Sequence, residues 1–243
     1  MKKTQKGRVS LERALSKLGL ASRAEALALI ESGQVKVHGQ IETSALRMVN
    51  PDTAHIELKG QKAAKSETQL LRFHKPRAVL TTKRDPEGRA TIYDCLPAEF
   101  QNFHAVGRLD MHTTGLLLLT NDTKLSSYLT DPKNQIPRIY IVKVRGELSE
   151  ESVIKMTEGL QEGDDFLQAS SAKLLKSSRR ESTLELCLKE GKNREIRRLC
   201  EILGHEVTAL KRISFGSILL GELKPGAFQL LSFNELNLII KGA

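Results

Sequence analysis

The sequence predicts an α+β protein, with some α/β mixing, in two parts: a small N-terminal α+β domain and a larger domain built on a mixed, largely antiparallel sheet flanked by helices. Three observations carry this reading. Two short stretches with helical periodicity and stop signals lie within the first 33 residues, and strand-like runs outnumber helical ones beyond residue 70. Between them, residues 60–69 are polar and Lys-rich with no periodic apolar signal, as expected of a linker. The expected domains are 1–59 and 70–243, joined by 60–69. No internal repeat or low-complexity tract interrupts either.

In the first part, Ser10 stands where a helix cap belongs, and Leu11, Leu15 and Leu18 fall on one face before Gly19. Ser22 and Glu25 have capping-box spacing for a second helix, with Leu27, Leu29 and Ile30 as apolar contacts and Gly33 as its stop. Val35 and Val37 alternate with Lys36, and His38-Gly39 suits a hairpin turn. The helices therefore lead into a small sheet that also holds Ile56 and Leu58. Arg8, Arg13, Lys17 and Arg23 lie away from the leucines and could form one cationic face, although a solvated helix surface explains them as well.

In the second part, Leu70, Leu71 and Phe73 begin a strand that Pro76 ends, residues 79–82 read as another, and Asp85-Pro86-Glu87-Gly88 supplies turn chemistry. The run 116–120, bounded by Gly115 and Asn121-Asp122, is a buried strand, too short to cross a bilayer. Ile139, Ile141, Val142 and Val144 form a strand after Pro137. Residues 150–160 have helical character and stop before Gly163. Leu174-Leu175 and Leu184, Leu186, Leu188 flank a polar stretch, as in a hairpin. Ile196, Leu199, Ile202 and Leu203 mark one apolar face of a last helix that Gly204 closes.

Composition narrows the function. A net charge of +9 points to a polyanionic partner, and residues 1–69 hold 12 Lys/Arg against 7 Asp/Glu, so the small part is disproportionately basic. No long apolar stretch suggests a membrane span. The basic start, Met1 to Lys6, is followed by polar residues rather than the apolar core of a signal peptide, so export is not expected. Cys95, Cys187 and Cys200 are odd in number and widely spaced, which argues against a disulfide framework and fits a reducing cytoplasm. The six histidines show no pair at metal-ligand spacing, and no phosphate-cradling Gly-rich loop, dinucleotide fingerprint or serine elbow is present. Neither a metal nor a cofactor is expected.

Two segments and one tyrosine carry the chemistry. Gly107-Arg108-Leu109-Asp110 places a lone carboxylate in the loop entering the buried strand, with Arg108 two residues away. An isolated turn Asp satisfied by its own backbone is the plainer alternative. The run Gly191-Lys192-Asn193-Arg194-Glu195-Ile196-Arg197-Arg198 puts cations at the N-terminal end of the last helix, against its dipole, a conflict relieved when an anion arrives. Tyr140, on the strand after Pro137-Arg138, could stack on an unstacked base or simply fill the core.

These residues resemble the RsuA-type ribosomal RNA pseudouridine synthases across nearly the whole chain. Gly107-Arg108-Leu109-Asp110 with Thr113, Gly115 and the leucine strand looks like the family's catalytic motif, Arg138-Ile139-Tyr140 like its tyrosine motif, and residues 191–198 like its arginine motif. Residues 1–59 resemble an S-four-type RNA-binding domain. Asp85-Pro86-Glu87-Gly88-Arg89 and Asn193-Arg194-Glu195 look closer to the large-subunit, RluB-type branch. Thr123, Arg138 and Arg77-Ala78 depart from common family residues without touching the presumed nucleophile.

The resemblance implies isomerisation of a uridine in ribosomal RNA, with the large subunit favoured, to pseudouridine, with ribosomal RNA or an assembling subunit as partner and no small-molecule cofactor. It implies Asp110 as nucleophile or stabiliser of positive character at the sugar, Tyr140 as the surface under the flipped base, and Arg197 as the salt-bridge partner of Asp110. Arg108, Lys192, Asn193, Arg194 and Arg198, with Arg8, Arg13, Lys17 and Arg23 of the small domain, would contact RNA. A cytoplasmic monomer is expected, since neither a heptad seam nor an aromatic patch is evident. A binding factor without turnover would share the same basic patches. A glycosidase would need two carboxylates, and Asp122 should lie roughly 17 Å or more from Asp110.

Overall fold

A computed structural model of the chain describes residues 7–21, 23–62, 67–232 and 234–235, without the side chain of Lys62. Two compact units are distinct: one comprises Met1–Gln69, Glu99–His104 and Thr120–Lys124, the other Leu70–Ala98, Ala105–Leu119 and Leu125–Ala243. Among the described residues no helix is long and apolar enough to cross a membrane.

In the first unit, helix α1 (Leu11–Lys17) buries Leu11, Ala14 and Leu15, and α2 (Arg23–Glu31) buries Ala26 and Ile30. Ser10 occupies the cap position of α1 but makes no side-chain cap bond; Ser22 lies outside the described residues. Leu27, expected to be an apolar contact, is 38% exposed. The i, i+4 pair Ala26 and Ile30 defines the buried stripe instead, and Leu27 falls off it. Val35–Val37 pairs antiparallel with Gln40–Ile41 and with Ile56–Leu58. His38 and Gly39 both have positive φ, 53° and 81°, the geometry that a two-residue hairpin of matching twist requires. Val35, Val37 and Ile56 complete the core over the helices.

The second unit is organised by a sheet whose principal strands are β1 (Leu70–Lys75), β2 (Thr114–Thr120), β3 (Arg138–Arg145), β4 (Ser171–Lys176), β5 (Glu181–Leu188), β6 (Val207–Phe215) and β7 (Phe228–Leu230). Their spatial order is β4-β5-β3-β6-β2-β1-β7. β3 is antiparallel to β5 and β6, β4 to β5, and β7 to β1, whereas β6 and β2 run parallel. This is the mixed, largely antiparallel sheet expected. Leu116 to Leu119 of β2 are all fully buried, with Leu116 and Leu118 packed against Leu125 and Leu129 of helix α3 (Thr123–Thr130) and Phe215 of β6.

Two expected elements have a different form or different bounds. Residues 79–82 form no strand: after Pro76 the chain takes positive φ at Ala78, and its β-pairing is an isolated bridge, Leu80 to Thr91. Helix α4 (Glu150–Glu158) stops at Gly159 rather than running to Leu160. Gly159 has φ +98°, and a Cβ there would lie 2.1 Å from the Phe166 ring, so the helix breaks. Leu160–Glu162 then pairs with Asp165–Leu167 around Gly163. Helix α5 (Glu195–Ile202) buries Ile196, Leu199 and Cys200 against the sheet, while Ile202 turns outward.

Candidate active site

Asp110 sits in the loop before β2, half-buried, at the start of a turn closed by the Thr113 N–H donating to its main-chain oxygen at 3.0 Å. Its carboxylate accepts no hydrogen bond from a described residue. The loop is fastened from two sides. Thr81 donates its hydroxyl to Leu109 O at 2.8 Å. Lys75, fully buried at the end of β1, donates to the carbonyls of Pro76, Met111 and Thr113 at 3.1, 3.2 and 3.0 Å. Burial pulls the Lys75 ammonium down to about 8, and the charge of Asp110 opposes that fall.

Gly115, five residues on, lets β2 lie against β6. A Cβ at Gly115 would stand 2.2 Å from Arg212 O, and its φ is +104°, so only glycine permits this parallel pairing. Tyr140 faces inward from β3, 8% exposed, directly opposite Arg212 and beside a register shift between Ile139 and Tyr140. A bulge of this kind re-aims the adjoining side chain.

The loop before α5 supplies the third wall. Arg194 caps the helix in a left-handed conformation, φ 50°, and makes no side-chain cap bond. Glu195 follows, buried, with Oε2 accepting the Lys192 N–H at 3.3 Å. Burial foremost, then the charge of Glu190, raises its carboxyl to about 7. Lys192 donates its ammonium to Glu190 at 2.8 Å and to Phe166 O at 2.6 Å.

A cavity of about 110 Å³ is lined by Arg108, Asp110, Tyr140, Lys192, Arg194 and Arg197, together with Glu195 and apolar side chains. Residues far apart in sequence thus meet at one place. Asp110 and Arg197 nevertheless form no ion pair. Arg197 donates through Nη1 to Val207 O at 3.3 Å, and its Nε is buried without a partner among the described residues. Burial and the neighbouring Arg194 lower the Arg197 pKa, while the charge of Asp110 raises it, so the two groups act on each other through space.

Of the residues expected in the 191–198 run to contact RNA, two lie outside this cavity. Arg198 is drawn into ion pairs with Glu162 and Asp165, the latter at 2.7 Å, and fastens the 160–167 hairpin to α5. Asn193 is exposed, and its main-chain oxygen accepts from Arg198 at 3.4 Å. In the first unit Arg8, Arg13 and Arg23 are exposed and Lys17 is half-buried. A larger concavity of about 710 Å³ is lined by Lys143, Arg145, Lys176 and Arg180, but its one carboxylate, Glu181, is paired with Lys143 at 2.8 Å. Lys143 and Arg145 alternate with the buried residues of β3, so this concavity faces away from Tyr140.

Sequence reasoning missed Lys75, Thr81, Arg138, Glu195 and Arg212. For Lys75 the Lys-Pro pair that ends β1 was the available signal; a charged residue at the end of an apolar run ordinarily reads as exposed.

A family model described as RNA pseudouridylate synthase matches residues 69–201. An uncharacterized RNA pseudouridine synthase of Aquifex aeolicus (strain VF5) is 33% identical over 234 residues, covering 96% of this chain and 94% of that protein. The ribosomal large subunit pseudouridine synthase B of Bacillus subtilis (strain 168) is 34% identical over 229 residues, covering 93% of each. A crystal structure of a pseudouridylate synthase is similar with a TM-score of 0.67 at 27% identity, over 94% of this chain and 98% of that one.

Proposed function

The chain belongs to the RNA pseudouridylate synthase family, and we propose that it isomerises a uridine of large-subunit ribosomal RNA, with Asp110 as its catalytic carboxylate. The observation that carries this reading is the Asp110 carboxylate, uncommitted to any described donor, on the wall of the cavity that Tyr140 and Arg197 also line.

Isomerisation breaks the bond between C1′ and N1, turns the ring, and joins C1′ to C5; the C5 proton leaves and N1 gains one. The overall composition is unchanged, so the reaction consumes no redox equivalent or activated group. A uridine must leave its stack to enter a cavity of this kind, at a cost of a few kcal/mol that contacts inside must offset. Tyr140 offers the flat face. The Asp110 carboxylate meets the positive character that develops at C1′, as nucleophile or as counter-charge. Arg197 is the partner proposed for Asp110 once RNA fills the cavity, and Arg108, Lys192 and Arg194 are proposed to meet phosphate.

Residues 1–59 are proposed as an S-four-type RNA-binding domain acting through Arg8, Arg13, Lys17 and Arg23, with 60–69 as linker and 70–243 as the catalytic domain. A monomer working in the cytoplasm on ribosomal RNA or an assembling subunit fits this reading.

The test is release of tritium from large-subunit ribosomal RNA carrying tritium at C5 of its uracils. Release in proportion to pseudouridine formed is expected. RNA binding without release would reassign the protein to a non-catalytic role.

A further inference from the structure

Two guanidinium groups are buried near Tyr140, and neither forms an ion pair with a carboxylate among the described residues. Arg138 is 7% exposed and donates only to main-chain oxygens, those of Leu129, Lys189 and Glu190, at 3.2, 3.4 and 3.1 Å. Arg212 is 2% exposed; Nε donates to Leu116 O at 2.7 Å, Nη1 lies 3.5 Å from the Tyr140 hydroxyl, and Nη2 has no partner among the described residues. Both lie against the Phe215 ring, 4.8 and 5.2 Å from its centre, and Arg212 lies 6.0 Å from the centre of the Tyr140 ring. Burial foremost, with the charge of Arg212 adding to it, lowers the Arg138 pKa. Glu195 acts on Arg138 through space but forms no ion pair with it.

Burying unpaired cations is unfavourable, and apolar side chains of similar volume would pack there at least as stably. The charge therefore calls for a reason outside folding. When C1′–N1 breaks, the electron pair stays on N1 and the uracil ring becomes an anion. It must stay in the cavity until C5 bonds to C1′, the C5 proton departs and N1 is protonated. We propose that Arg138 and Arg212 form a cationic floor which, acting through Tyr140, stabilises the uracil ring while it carries that negative charge. Neither residue lines the cavity, so both are positioning residues; their fields cross a water-poor interior where screening is weak. This inference rests on the synthase reading above.

The test compares target RNA carrying uridine with the same RNA carrying 5-fluorouridine, whose fluorine withdraws charge and makes the ring a better leaving group. Arg138→Met and Arg212→Met should each lower kcat on uridine about tenfold to a hundredfold, with KM little changed. On 5-fluorouridine the fluorine at C5 cannot depart as the proton does, so the reaction halts once C1′ is joined to C5; the single-turnover rate at which the N1-linked nucleoside disappears, followed by mass spectrometry of digested nucleosides, should show a deficit at least about threefold smaller. Arg138→Lys and Arg212→Lys, which keep the charge, should restore most of kcat. Equal deficits on both RNAs, or a loss confined to KM, would overturn the inference. If a Met variant does not fold, the Lys variants decide: one that melts like wild type and keeps kcat supports the floor, and one that melts like wild type yet is slowed as much on both RNAs overturns it. Wild-type protein that leaves uridine unconverted would instead defeat the synthase reading itself.

Discussion

Lys75 reaches beneath the turn that Asp110 begins: its ammonium holds the carbonyls of Met111 and Thr113, 3.2 and 3.0 Å away, and responds to the Asp110 charge. A buried cation thus fixes the loop and sets part of the field around the carboxylate. Lys75→Met should loosen residues 109–113 and lower turnover about tenfold or more, since small misplacements of a reacting group are costly. The unfolded chain keeps this proton up to about 10.5 and the folded chain releases it near 8, so stability should rise with pH across that window. Thermal melts from pH 8 to 10 should show the rise in wild type and its loss in Lys75→Met.

Glu195 works in the opposite sense. Burial raises its carboxyl from 4.5 to about 7, so the folded chain holds a proton that the unfolded chain has released. Stability should fall as pH rises through this interval, with Glu190 and Lys192 the charged groups beside it. Glu195→Gln should flatten that slope in urea titrations between pH 5 and 7.5. An unchanged slope would place the buried proton elsewhere.

Gly115→Ala should be among the most damaging single changes. Its Cβ would collide with Arg212 O at 2.2 Å on a backbone with φ +104°, breaking the β2–β6 pairing that supports both Asp110 and Tyr140. A loss of about 3 kcal/mol or more is expected from urea denaturation. A loss below about 1 kcal/mol would show that the strands can shift to admit a side chain.

If the small domain grips RNA through its arginines, Arg13→Ala combined with Arg23→Ala should flatten the salt dependence of binding. Each lost phosphate contact removes roughly 0.7 to 0.9 from the logarithmic slope. Affinity measured from low to moderate salt tests this, and an unchanged slope would remove both residues from the interface.

Much of the sheet was legible because its strands carry unambiguous patterns. The leucine run of β2 is apolar throughout and buried throughout, and the second half of β3, Val142 to Arg145, alternates as its sequence does. The gathering of Asp110, Tyr140 and Arg197 followed from motif resemblance, since nothing in local pattern brings residues 110, 140 and 197 together. What escaped depends on contacts distant in sequence. Lys75, Arg138 and Arg212 are polar residues in strands whose alternation does not say that they are buried. Arg198 reads as a cation for RNA in the sequence because Glu162 and Asp165 reach it only once Gly159 breaks α4 and the hairpin folds back. Residues 79–82 are rich in strand formers, yet Thr81 is committed to Leu109 and the segment serves the Asp110 loop instead.

The central claim is that the Asp110 carboxylate drives pseudouridine formation in ribosomal RNA. Carbodiimide mapping of pseudouridine at nucleotide resolution, in a strain lacking the gene and in the same strain supplied with wild-type protein or Asp110→Asn, tests it directly. The account predicts a site that disappears on deletion, returns with wild type, and stays absent with Asp110→Asn even though that variant binds the RNA within a few fold of wild type. Restoration of the modification by Asp110→Asn would contradict it.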